Sequence, residues 1–342
     1  MKILFLSHVF WPQIGGIEVN SEILCDEFSN LGYDVVLLTS LKSSDEKDFS
    51  FSVVRSPSIF KLIKLIIDCD IIFENNPCLR LSWPLFFLKK KSVIAIRTVI
   101  ERASGNRSWQ DILKLWRLKK STKVIAVSDY IRRVTFNDSI VIGNPYRKEF
   151  FKNLPDIKRT NAFVFIGRLV SDKGVDLALR AFRLYLDLNS NALIEKPIFT
   201  IIGDGPERKN LEDLSNLLQL DPYVLFLGSK TEQDLAQELN KHISLIVPSL
   251  WQEPFGNVAL EGMACGCIPI VSDGGGLPEA IGEAGLIFER GNVEDLAEKM
   301  KLLITDFDLQ QKMINAQKSH LALHDPKTVA QKYLEVIKSA MN

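Results

Sequence analysis

Two carboxylates, Glu253 and Glu261, stand on either side of the seven residues 254–260. The spacing predicts a helix that begins near Asn257, with Glu253 in the loop before it. Glu261 then lies about one turn inside, roughly 6 Å along the axis. A helix start offers unpaired N–H groups and a partial positive charge, which suit an anionic diphosphate. Glu253 can accept hydrogen bonds from sugar hydroxyls, and Glu261 can accept two from a ribose diol. Gly256 lets backbone approach a ligand closely. The plainer alternative is a helix cap beside a surface glutamate.

A second group of residues supplies positive charge. Gly167-Arg168 and Lys173-Gly174 follow a predicted strand at 163–166 and precede a predicted helix. That is the carboxyl edge of a parallel sheet, where ligands bind in such folds. Arg168 can grip a phosphate with two N–H donors, and Lys173 adds a point charge. Two cations can do the work of a metal for a departing diphosphate; a solvated basic loop is the alternative. Gly15-Gly16, Gly203-Asp-Gly-Pro206 and Gly274-Gly-Gly276 also sit at predicted strand ends. The first does not match the G-x-G-x-x-G fingerprint of dinucleotide binding. The third either flanks a diphosphate or forms a flexible turn. Phosphate-compatible loops recur at strand ends in both halves of the chain.

The elements that must hold these loops alternate in type. Short apolar strands are expected at 3–7, 35–39, 53–55, 71–74, 93–96 and 124–127. A second series follows at 163–166, 199–202, 224–227, 245–247 and 268–271. Helical spacing separates several of them. Such alternation means parallel sheets covered by helices on both faces. With 342 residues the chain accommodates two domains. They are expected at 1–145 and 146–325, hinged near Gly143-Asn-Pro145, with a final amphipathic helix at 326–342. Formal net charge is zero, but residues 1–150 carry 22 basic against 16 acidic side chains. The remainder carries 20 against 26. A basic first half suits an anionic partner such as a phosphorylated lipid, or reflects an uneven spread of solvated charge. The five cysteines lack zinc or disulfide spacing and read as reduced core residues. No signal peptide and no transmembrane helix are expected.

In order, Pro12-Gln-Ile-Gly-Gly-Ile-Glu18, Val124-Ile-Ala-Val-Ser-Asp129, Phe165-Ile-Gly-Arg-Leu169 with Asp172-Lys-Gly174, Ile201-Ile-Gly-Asp-Gly-Pro-Glu207, and Pro248-Ser249 followed by Glu253-Pro-Phe-Gly256 and Glu261-Gly-Met-Ala264 resemble the retaining glycosyltransferases of family GT4. The resemblance implies the α/β GT-B fold: two doubly wound Rossmann-like domains whose parallel sheets face across a cleft. It implies that Arg168 and Lys173 bind and stabilise the donor diphosphate, that Glu253 holds the donor sugar, and that Glu261 holds the ribose. Gly167, Gly203, Phe255, Gly256, Asn257 and Val258 would line the donor, and Gly16 would approach it from the other domain. The last helix would cross back onto the first domain. No metal or cofactor is implied; the donor would be a UDP- or GDP-linked sugar.

One position departs from the family. Many relatives carry a histidine after the strand that reads here Val93-Ile-Ala-Ile96, whereas this chain has Arg97-Thr98. Arg97 either reaches an anionic donor sugar or acceptor phosphate, or is a structural arginine. Acceptors in this fold enter from the first domain. There Trp109, Ile112, Leu113 and Trp116 share helical spacing among Lys114, Arg117, Lys119 and Lys120. Residues 83–91 are similarly apolar, then basic. Both segments suit docking on an anionic membrane surface, or a core-facing helix with a solvated basic side. The expected protein is a cytoplasmic hexosyltransferase, peripheral at the inner face of the plasma membrane. It would transfer to a glycan or lipid-linked acceptor in cell-surface polysaccharide biosynthesis, with no nucleic-acid partner. A nucleotide-sugar epimerase and a non-catalytic sugar-nucleotide sensor are the alternatives; an oxidoreductase lacks its fingerprint.

Overall fold

The computed structural model describes the chain apart from residues 14, 44–46, 101–107 and 190–195. Ile14, inside the first loop motif, therefore lies outside the described residues. The chain divides into two compact units, Met1–Pro145 with Asp325–Asn342, and Tyr146–His324.

The first unit contains β1 (Lys2–Ser7), α1 (Gly16–Asn30), β2 (Asp34–Thr39), β3 (Ser52–Arg55), α2 (Ile59–Asp68) and β4 (Ile71–Asn75). It continues through α3 (Leu79–Ser82), β5 (Ser92–Ile96), α4 (Trp109–Lys120), β6 (Lys123–Ala126), α5 (Asp129–Thr135) and β7 (Ile140–Val141). All its strands are parallel, in the order β3-β2-β1-β4-β5-β6-β7. The period-2 pleat sends alternate side chains to opposite faces. Ile3, Phe5, Val35, Leu37, Ile71 and Phe73 enter one core; Leu4, Leu6, Val36, Leu38 and Ile72 enter the other. Both faces are covered, as continuous apolar strands require.

The second unit contains β8 (Thr160–Ile166), α6 (Val175–Leu188), β9 (Phe199–Ile202), α7 (Arg208–Leu217), β10 (Val224–Gly228), α8 (Glu232–Leu239) and β11 (His242–Val247). Then come α9 (Asn257–Ala264), β12 (Ile268–Ser272), α10 (Leu277–Ile281), β13 (Leu286–Phe288), α11 (Val293–Thr305) and α12 (Phe307–Leu323). Its parallel strands run β10-β9-β8-β11-β12-β13. Strand order therefore reverses between β1 and β4 in one unit and between β8 and β11 in the other. At such a reversal, successive loops diverge and leave a crevice at the carboxyl ends of the strands. The final helix, α13 (Pro326–Met341), packs Val329, Tyr333 and Ile337 into the first unit's core.

Several elements differ from the sequence pattern, each for a physical reason. Strands expected at 163–166 and 245–247 start earlier, because polar residues at their beginnings are satisfied internally. Ser244 Oγ donates to the Ile268 carbonyl, and His242 Nε2 lies 2.9 Å from Thr200 Oγ1. Helix α2 sets Lys61, Lys64 and Asp68 on one side, but its apolar side is covered only in part: Leu62 and Ile66 are buried while Ile59, Phe60 and Ile67 are exposed. Asp306 ends α11 and also caps α12 by accepting from the Leu309 N–H. The five cysteines are free and buried.

Helix α4 turns its aromatic side outward rather than into the core. Ser108 and Asp111 close a capping box at its start. Arg117, expected among the surface cations, is instead buried, with its guanidinium 2.8 Å from Glu74 and donating to Ser92 Oγ. Burial pushes the Glu74 carboxyl above its ordinary range even though Arg117 opposes the shift. This pair pins α4 to strands β4 and β5.

Candidate active site

The loops after β8 and β11 lie side by side because those strands are neighbours, with Leu245 opposite Val164. After β8 the chain passes exposed Arg168 and a single 3-10 turn, Ser171–Lys173, before α6. The Asp172 carbonyl accepts from the Leu250 N–H at 2.8 Å, joining the two loops through backbone. Gly174 carries φ +67°, and a methyl there would stand 2.1 Å from the Pro248 carbonyl oxygen. Only glycine allows this approach.

At the junction Lys173 Nζ donates to Glu253 Oε1 at 2.5 Å. Buried Ser249 donates to the same oxygen at 2.9 Å, and the Trp251 ring centroid lies 5.7 Å from the ammonium. The ammonium has three donors, so two beyond the Glu253 bond can meet a phosphate. Arg168 meets no carboxylate among the described residues, which leaves its guanidinium fork open to an anion.

Glu253 is held from the other side by the loop after β12. Gly276 N–H donates to the Glu253 carbonyl at 2.7 Å, and Gly275 N–H donates to Gln252 Oε1 at 3.1 Å. Gly275 has φ +65°, and a methyl on it would meet that same Glu253 carbonyl at 2.1 Å. Gly274-Gly-Gly276 is thus a packed brace for the Glu253 loop, not a flexible turn.

Gly256 opens α9 without a side-chain cap. The first helical residues are Asn257 and Val258, and their N–H groups belong to the helix start that the sequence marks. Phe255 is buried with its ring 5.4 Å from that of His324. Glu261 follows inside α9. Burial pushes its carboxyl up from 4.5 to about 7. Arg147 opposes that rise, but Arg147 is ion-paired with Glu232, which reinforces it. The site therefore holds two carboxylates in different states: one bonded to a lysine and a serine, one desolvated.

Gly167 and Gly203 lie at the ends of β8 and β9. A methyl on Gly203 would stand 1.8 Å from the Gly167 carbonyl oxygen, so these two glycines touch each other through backbone. The remaining residues singled out in the sequence, Gly16 and Arg97, belong to the first unit. Gly16 is the first residue of α1. Arg97 is only 5% exposed; its Nε donates to Asn75 and one terminal nitrogen to Asn144, both at 2.7 Å. Its guanidinium also lies 5.3 Å from the Tyr333 ring centroid. These contacts fit the structural alternative, while the second terminal nitrogen, Nη2, is buried without a hydrogen-bond partner among the described residues. Sequence spacing did not disclose Ser249, Trp251, Gln252, Arg147 or Glu232. Ser249 and Trp251 are close to Glu253 in sequence and carry polar or aromatic chemistry, which was the available signal.

Comparison with known proteins matches this frame. Residues 146–320 match the family model described as glycosyl transferases group 1. The chain is 30% identical over 333 residues to an uncharacterized glycosyltransferase of Methanocaldococcus jannaschii, covering 91% of this chain and 90% of that protein. It is 26% identical over 341 residues to the phosphatidylinositol N-acetylglucosaminyltransferase gpi3 subunit of Schizosaccharomyces pombe, covering 88% and 72%. The crystal structure of Anabaena HepE in complex with UDP and glucose is similar in fold, with a TM-score of 0.81 at 19% identity over 99% of this chain and 100% of that one. Two doubly wound parallel-sheet units are the GT-B fold, and the chain belongs to the glycosyl transferases group 1 family as a glycosyltransferase enzyme.

Proposed function

We propose that the chain is a retaining transferase that needs no metal. It moves a hexose-type sugar from a UDP- or GDP-linked donor to a hydroxyl of a glycan or lipid-linked acceptor, in building a cell-surface polysaccharide. The observation that carries this reading is the Lys173–Glu253 contact at the crevice of the second sheet. Arg168 and Lys173 take up the charge that develops on the leaving diphosphate, the task a metal performs elsewhere. Glu253 orients the donor sugar, and Glu261 accepts from the ribose diol. Rate enhancement comes from positioning and from leaving-group stabilisation. Two similar proteins support the choice of substrates: the Anabaena structure, which holds UDP and glucose, and the fission-yeast relative, a phosphatidylinositol N-acetylglucosaminyltransferase subunit. Family membership favours transfer over the epimerase and sensor alternatives.

The first unit supplies a surface suited to peripheral attachment. Phe60 is 88% exposed, Phe87 82% and Trp109 68%, amid Lys61, Lys64, Lys89, Lys90, Lys119 and Lys120. Lys90 Nζ donates to the Ile67 carbonyl, which joins α2 to the 83–91 segment. Trp116 stacks on Phe86, which joins that segment to α4. Exposed rings with flanking lysines match the headgroup region of an anionic bilayer. Among the described residues no helix is long and apolar enough to cross a membrane.

Three outcomes follow. Lys173→Ala and Glu253→Ala should each lower turnover by about 100-fold or more, the scale of losing one preorganised charge-stabilising donor. Nucleoside diphosphate release with acceptor present measures this, and near-normal rates in both variants would sink the mechanism. The second outcome concerns pH. In the ligand-free protein Glu261 is protonated below about 7, whereas a ribose acceptor works best ionised. Calorimetric affinity for an intact nucleotide sugar should rise with pH up to about 7 by at most about tenfold per unit, then level off. Glu261→Gln should flatten the profile; a wild-type affinity constant from acid to neutral pH contradicts the assignment. Third, the protein should co-sediment with phosphatidylglycerol vesicles and less with phosphatidylcholine vesicles. Phe87→Ser with Trp109→Ser should weaken this, and no binding to anionic vesicles removes the docking surface.

A further inference from the structure

The first unit has its own crevice at the reversal between β1 and β4, and the donor chemistry above does not use it. A cavity of about 320 Å³ opens there, lined among others by His8, Asn76, Arg80, Gln110 and Lys114. His8 follows β1, Asn76 follows β4, Arg80 stands on α3, and Gln110 and Lys114 stand on α4. Its size is at the lower end of small-ligand pockets, which run from about 300 Å³.

Charge is what sets this cavity apart. Among the described residues no carboxylate lines it. Arg80 has no acidic partner among the described residues, and Lys114 reaches Asp111 only at 3.6 Å. Two permanent cations from different helices therefore line one cavity that is open to solvent. Partial burial, with the charges of Arg80 and Lys114 adding to it, depresses the proton affinity of His8, the sign of a positive potential inside. The walls are fixed beforehand. The Asn75 amide donates to Ser21 Oγ at 2.7 Å and accepts from Arg97 Nε at 2.7 Å. Asn76 adopts φ +75° and its Oδ1 accepts from the Arg97 N–H. The His8 carbonyl accepts from the Ser40 N–H at 3.2 Å. The buried Glu74–Arg117 pair fixes the helix that carries Lys114. Arg97 thus positions the floor of this cavity.

We propose that this cavity binds a phosphate group carried by the acceptor, gripped by Arg80 and Lys114, with His8 and Gln110 as further hydrogen-bonding partners. A phosphate monoester or diphosphate carries about two negative charges near neutral pH, which matches two cations of which only Lys114 has a carboxylate, Asp111 at 3.6 Å, within reach among the described residues. Its assignment to the acceptor rests on the transferase reading; the anion site itself does not.

The test is calorimetric titration of the full chain with inorganic pyrophosphate, in an Arg168→Ala, Lys173→Ala background that removes both diphosphate-binding cations of the second unit. Saturable, salt-sensitive binding is expected, weakened at least about tenfold by Arg80→Gln with Lys114→Gln, with part of the loss restored by Arg80→Lys. Both side chains reach solvent, and circular dichroism verifies that the variants fold. No pyrophosphate binding, or equal binding by the double variant, overturns the proposal. If the transferase reading failed instead, nucleotide-sugar binding would be absent while pyrophosphate binding persisted. Transfer to a soluble sugar phosphate, compared with a lipid phosphate in micelles, then identifies the carrier. Loss of either reaction in the double variant supports the site, and full transfer to a phosphate-free acceptor at the same rate contradicts it.

Discussion

A lysine and a glutamate from two loops, Lys173 and Glu253, meet at 2.5 Å, and much of the second unit is arranged to permit that contact. The loops can meet only because β8 and β11 are neighbours where strand order reverses. Once adjacent, they are drawn together by backbone: Asp172 to Leu250 on one side, Glu253 to Gly276 on the other. Gly174 and Gly275 stand where any side chain would strike a carbonyl oxygen, both at positive φ. Two partly buried charges held this way are costly to separate, yet the lysine retains donors for an incoming anion. A site built so is preorganised in its backbone while its charges stay exchangeable.

The same topological device is used differently in the first unit. Its reversal also yields a crevice at strand ends, but there Arg80 and Lys114 gather with no carboxylate among the described lining residues. Arg97 is not among the residues that line that crevice. Its guanidinium is tied to Asn75 and Asn144 and its backbone N–H to Asn76, which stiffens the cavity floor. A buried ion pair, Arg117 with Glu74, does similar work for α4, leaving its aromatic residues to face outward.

Much of the fold was legible in the sequence because buried parallel strands are short, apolar and regularly spaced. Helix α9 and the last helix begin where a glycine and a proline mark them. The helices that escaped reading had reasons to. Helix α2 exposes three large apolar side chains, Ile59, Phe60 and Ile67, and buries two, Leu62 and Ile66, so its apolar side is only partly a core face. Helices α11 and α12 join at one aspartate. In the site, residue types marked Arg168, Lys173, Glu253 and Glu261, but not the partners of each. The Gly275 brace acts through a contact between two loops that are distant in sequence from one another, and Arg147 acts on Glu261 across more than a hundred positions. Arg97 shows the converse: a cation's type suggested a ligand, and burial turned it into a tie. Its partners lie on separate elements that no local pattern joins.

The account stands on where a nucleotide's phosphates and ribose would lie, and a crystal structure with a nucleoside diphosphate bound observes this directly. The account predicts the terminal phosphate within hydrogen-bonding distance of Lys173 Nζ and the Arg168 guanidinium, the diphosphate over the start of α9, and the ribose diol on Glu261. A nucleotide held elsewhere, with Lys173 bonded only to Glu253 and Glu261 free of the ribose, would contradict it.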